Sequence, residues 1–130
     1  MPGASTQFHE SEERLSAATR DMHRALVSLM EELEAIDWYT QRIEASEDRE
    51  LAEVLRHSRD EEVEHAVMTL EWIRRRSPEF DRTLRERLFA EGSIVAHEEA
   101  IERGEVAGNG SAAPRAGGPH VTVGSLRERR

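Results

Sequence analysis

Leu15, Ala18, Met22, Ala25, Leu29, Ile36 and Ile43 recur at helical spacing, and neither Pro nor Gly interrupts residues 12–45. One long amphipathic helix is expected there. The stretch Ala45-Ser46-Glu47-Asp48 breaks the pattern and offers Ser46 as an N-cap. A second long helix is expected over 48–76, with Leu51, Val54, Leu55, Met68, Leu70, Trp72 and Ile73 as its apolar set. So short a connection makes the two helices antiparallel neighbours. Ser77-Pro78 reads as an N-cap followed by Pro at the first helical position. It predicts a shorter helix to about Ala90, stopped near Gly92, and a last helical piece over 94–103.

The pattern also has two faults, and they coincide. Heptads with Leu15, Met22, Leu29, Ile36 and Ile43 at position a put Ala18, Ala25, Glu32 and Tyr39 at d. Glu32 is a carboxylate where the seam asks for an apolar side chain. An unpaired buried charge costs several kcal/mol, so something positive should compensate it. On the second helix, the face carrying Leu51, Leu55, Ser58 and Trp72 also carries Glu62 and His65. Glu62-Val63-Glu64-His65 is an E-x-x-H unit, whose first and fourth residues project together. A carboxylate oxygen and an imidazole nitrogen, without sulfur, suit iron or manganese, with zinc possible. Glu61 and Glu64 flank this pair as solvated or supporting groups, and Glu61 lies one turn from His65.

A count decides how many chains such a site needs. Di-metal carboxylate bundles take a lone Glu from each of two helices and an E-x-x-H from each of two others. Of the six His, only His65 has a Glu three places before it. The chain therefore holds half a site, which two copies about a two-fold axis would complete as a four-helix bundle. The expected fold class is all-α: two long antiparallel helices plus a shorter C-terminal helix, pairing as a homodimer into a four-helix bundle.

Composition narrows the alternatives. Charged residues make up 35% of the 130-residue chain and apolar residues 37%, a balance for helices with solvated outer faces. The formal net charge of −9 argues against nucleic acid. The absence of Cys excludes disulfides and thiolate metal sites. No apolar run is long enough for a membrane span, and residues 1–10 lack a signal-peptide core, so a cytoplasmic protein is expected. Six of the eight Gly and two of the four Pro fall in 104–130, beyond the last aromatic, Phe89. The resulting division is a loose arm over 1–10, a helical domain over 11–103, a flexible linker over 104–120 and a terminal peptide over 121–130.

With these residues in place, the chain resembles the encapsulated ferritins, the ferritin-like cargo of bacterial encapsulin compartments. The resemblance covers Met22 to about Gly92 and returns at the end of the chain. It rests on His23-Arg24-Ala25, on the run from Met30 to Tyr39, on the run from Arg59 to Trp72, and on Leu88-Phe89. Val123-Gly124-Ser125-Leu126-Arg127 is similar to the family's targeting peptide, although Val121-Thr122-Val123 stands where the family often has Leu-Gly-Ile. The resemblance implies a ferroxidase, oxidising Fe(II) at a centre of two irons held by Glu32, Glu62 and His65 of two subunits. It places Trp38 and Tyr39 nearby and gives Glu31 and Glu34 to the admission of metal. It further implies a ring of five dimers and recruitment to the encapsulin shell through Val121, Val123, Gly124, Ser125 and Leu126. A helical adaptor, its polar seam residues setting register, is the alternative. A rubrerythrin- or hemerythrin-type enzyme would need further ligands within one chain, and these are lacking.

Overall fold

The computed structural model describes residues 6–105. The expectations for the tail beyond 105, including the targeting peptide, lie outside the described residues. All regular structure among the described residues is helical. A single 3-10 turn, Glu12–Arg14, precedes α1 (Ala17–Ala45), α2 (Arg49–Arg76), α3 (Pro78–Arg87) and α4 (Ile94–Glu102). The chain divides after Asp81 into two compact units, so α3 begins in the first and continues into the second.

The first unit is a helical hairpin, α1 packed antiparallel on α2. Its first helix starts later than the apolar periodicity suggests. Ser16 caps it, its hydroxyl accepting from the Thr19 amide at 3.1 Å. Leu15, the first heptad position, is therefore extended backbone ahead of the helix. The hairpin loop corrects a second expectation. Ser46 ends α1, its amide donating to the Arg42 carbonyl at 2.9 Å, and Asp48 caps α2 by accepting from the Leu51 amide at 2.8 Å. Both residues have a cap's chemistry, but an acidic cap answers the positive end of the helix dipole better than a hydroxyl.

The junction after α2 follows the Ser-Pro reading. The Ser77 hydroxyl accepts from the Phe80 amide at 3.3 Å, and Pro78 opens α3. Arg74 crosses this corner, bidentate to Glu71 at 2.6 and 2.8 Å and paired also with Asp81. Arg75 joins Glu71 at 2.7 Å. Glu71 is consequently held down to about 2, chiefly by its hydrogen bond to Arg74 and then by that to Arg75.

In the second unit α3 stops at Arg87, three residues short of the expected Ala90. Phe89 adopts left-handed backbone at φ 57°, Gly92 follows at 78°, and Ser93 caps α4 through the Ala96 amide. His97 Nε2 hydrogen-bonds the Glu86 carbonyl at 2.9 Å and ties the two short helices together. The two short helices match the two helical pieces expected on either side of Gly92. At the other end, Phe8 packs on the His23 ring with centroids 4.4 Å apart, and His23 Nε2 meets the Thr6 carbonyl at 2.9 Å.

A hairpin of two such long helices can bury only one stripe of each. Among the described residues only Ala66 and Ile73 are buried. Leu33, Leu51, Val54, Val63, Val67 and Met68 all stand exposed on α1 and α2. Covering a side chain of this size stabilises by about 1.5–3 kcal/mol. No helix is long and apolar enough to cross a membrane, among the described residues.

Candidate metal centre

The two seam faults meet. Glu32 from α1, and Glu62 and His65 from α2, each offer a ligand atom, and these atoms lie within 4.8 Å of one another. His65 Nδ1 is 3.5 Å from Glu62 Oε2 and 3.8 Å from Glu32 Oε2. Those separations are too long for hydrogen bonds. They match the spacing of two ligand atoms on one first-row metal, each bound at about 2 Å and so about 3–4 Å apart. Glu62 and His65 owe their proximity to i,i+3 spacing on a helix that runs through both without a break. Glu32 comes to them because its seam position faces α2.

Electrostatics fits a cation here. The Glu32 carboxyl is raised above the ordinary carboxylate range, first by a hydrogen bond shared with the Glu62 side chain. Partial burial and the charge of Glu62 push the same way, and His65 opposes them. Two carboxylates at this distance therefore resist being ionised together, and a divalent cation would remove the conflict. With two hard oxygens and one imidazole nitrogen, the donor set fits iron. Both Glu side chains show 25% of their surface and His65 shows 52%, so in one chain the group faces outward, on an open face.

The remaining candidates fall elsewhere on the wheel. Tyr39 is seven residues, about two turns, from Glu32 and shares its stripe; the Arg42 guanidinium lies 5.6 Å from its ring centroid. Trp38 is seven residues from Glu31, so it shares the stripe of Glu31 and Glu34 and points away from that of Glu32. Trp38, Glu31 and Glu34 are all exposed. Glu61 pairs with His57 at 3.0 Å, and Glu64 is exposed. Sequence reasoning missed Asp48 as a cap and the Arg74 network, though Glu71 with Arg at i+3 and i+4 was a visible signal.

An all-α hairpin carrying two seam carboxylates and an E-x-x-H histidine is consistent with a ferritin-like helical fold. The EncFtn-like family model matches residues 7–91, and the chain belongs to that family. It is 49% identical over 129 residues to the encapsulated ferritin-like protein of Rhodospirillum rubrum, covering 98% of this chain and 92% of that one. The ferritin-like protein of Thermotoga maritima is 46% identical over 98 residues, covering 75% of this chain and 86% of that one. The encapsulin nanocompartment cargo protein EncC of Myxococcus xanthus is 33% identical, covering 92% of this chain and 95% of that one. A crystal structure of a Nitrosomonas europaea protein superposes with a TM-score of 0.65 at 55% identity, covering 67% of this chain and 96% of that one.

Proposed function

We propose that this protein is a ferroxidase carried as cargo in a cytoplasmic encapsulin compartment, oxidising Fe(II) for storage there. The observation that carries the reading is the convergence of Glu32, Glu62 and His65 within 4.8 Å on a face that one chain leaves open. Two chains face to face supply four carboxylates and two imidazoles, enough for two irons. The same contact would cover apolar side chains exposed in the single chain. Five such dimers closing into a ring is the assembly that the resemblance to encapsulated ferritins supports.

Iron is the substrate, and the chain's residues hold it. Glu32 and Glu62 supply anionic oxygens that favour Fe(III) over Fe(II), and each iron gives up one electron to the oxidant. His65 contributes a neutral nitrogen ligand, leaving positions open for O₂ or peroxide. The C-terminal run from Val121 to Leu126 acts as the address. Val121, Val123 and Leu126, set among Gly and small polar residues, suit an extended peptide in a shallow groove of a shell subunit, and several tails per ring bind together. Similarity to an encapsulated ferritin-like protein and to an encapsulin nanocompartment cargo protein supports this reading.

An anaerobic Fe(II) titration of the purified full chain, followed by O₂, tests it. Saturable binding followed by rapid Fe(III) absorbance is expected. A protein with no stoichiometric iron would be the helical adaptor instead.

A further inference from the structure

The geometry points to Trp72 as a redox-active residue, giving one electron and its indole proton during oxygen reduction at the Glu32–Glu62–His65 group. This rests on the ferroxidase reading above. Trp72 is seven residues beyond His65, as Tyr39 is seven beyond Glu32, so each aromatic shares its ligand's helical stripe at about 10 Å along the axis. Because α1 and α2 run antiparallel, the two rings flank the ligand group on opposite sides, Tyr39 towards the hairpin loop and Trp72 away from it. Each ring carries a guanidinium from the next turn, Arg42 at 5.6 Å and Arg76 at 5.0 Å. Trp72 is half-buried and lines an open groove of about 520 Å³ with Ala25, Ser28, Met68 and Thr69. Ser28 is one turn from Glu32 and Met68 one turn from His65, so the groove's lining comes within one helical turn of the ligand group without including it.

Chemistry gives this arrangement a use. Reducing O₂ to two waters takes four electrons and four protons, and two Fe(II) supply only two electrons. Trp72 and Tyr39 supply the other two, each losing one electron and one proton and becoming a neutral radical. Two protons come from solvent, and O₂ leaves as two waters. Arg76 decides the form of the tryptophan product, since a cation over the ring disfavours an indole radical cation and favours loss of the Nε1 proton. Two further Fe(II) then return both radicals to Tyr39 and Trp72, each taking up a proton. Without the aromatics the two-electron product, hydrogen peroxide, is released.

The test uses the full chain loaded anaerobically with Fe(II), mixed with O₂ and frozen at successive times for electron paramagnetic resonance. The chain has two Trp and one Tyr, so Trp38→Phe leaves Trp72 as the sole indole. A neutral tryptophan radical is expected in that background. It should be lost in Trp72→Phe, together with a shift of the oxygen product towards peroxide. Trp72→Tyr with Tyr39→Phe keeps a redox-active ring of similar bulk and makes position 72 the sole tyrosine, where a tyrosyl radical should form. Fe(II) oxidation without any organic radical, and with unchanged peroxide in Trp72→Phe, would overturn the inference and leave the ferroxidase reading standing. Absence of Fe(II) oxidation in the wild-type protein would overturn both.

Discussion

Glu32→Gln isolates the conflict at the centre of the site. Its amide keeps the size and a hydrogen bond to Glu62 but removes one of two facing charges. Two carboxylates within 4.8 Å repel by about 1–3.5 kcal/mol at effective dielectric constants of 80 to 20. The raised Glu32 carboxyl shows the direction: its ionised form is penalised in the fold, so its contribution is present at low pH and lost as pH rises through its folded value. At neutral pH the metal-free variant should therefore be more stable than wild type. At the lower bound of about 1 kcal/mol this is roughly 4–8 °C in melting temperature for a domain of this size. The wild-type protein should in turn gain about 2.7 kcal/mol from Fe(II) at a hundred times its dissociation constant, which the variant should not. Differential scanning fluorimetry with and without anaerobic Fe(II), at pH 5 and 7.5, reads both effects. A metal-free variant less stable than wild type, or one that keeps the full Fe(II) shift, would refute the reasoning.

Glu62→Ala and His65→Ala should each abolish most fast Fe(II) oxidation in stopped-flow absorbance, whereas Glu64→Ala, from an exposed position, should be much milder. Truncation after Gly104 should leave oxidation nearly intact but keep the protein out of a co-expressed encapsulin shell, and Gly117–Arg130 fused to an unrelated protein should carry it in. Glu71 is depressed to about 2 by Arg74 and Arg75, so its contribution is present above the ordinary carboxylate range and lost as pH falls through about 2. Hydrogen exchange at the α2–α3 junction should accordingly stay slow from pH 7 down to about 3 in wild type and be faster throughout in Glu71→Gln.

The hairpin and its ligand group were legible because both are written at helical period. Glu32 stood out where a heptad asked for an apolar residue, and Glu62 with His65 stood out by i,i+3 spacing. Placing the three together needed only that α1 and α2 be antiparallel, which the three-residue connection dictated. Helix ends were harder to read, since several neighbouring residues can cap. Ser46 and Asp48 both have the chemistry, and backbone geometry chose Asp48. The early stop of α3 depends on Phe89 taking a left-handed conformation that an aromatic residue seldom adopts, so no sequence rule points there. The resemblance places both Trp38 and Tyr39 near the ligands, whereas neighbours on a helix diverge by about 100°, and the wheel assigns the two to different stripes.

Native mass spectrometry of the chain titrated anaerobically with Fe(II) tests the central claim, that the site is shared between two copies, most directly. The account predicts that iron binds cooperatively with association, giving pairs of chains that carry two irons and higher species that carry one iron per chain. Single chains holding two irons, or assembled chains holding none, would contradict it.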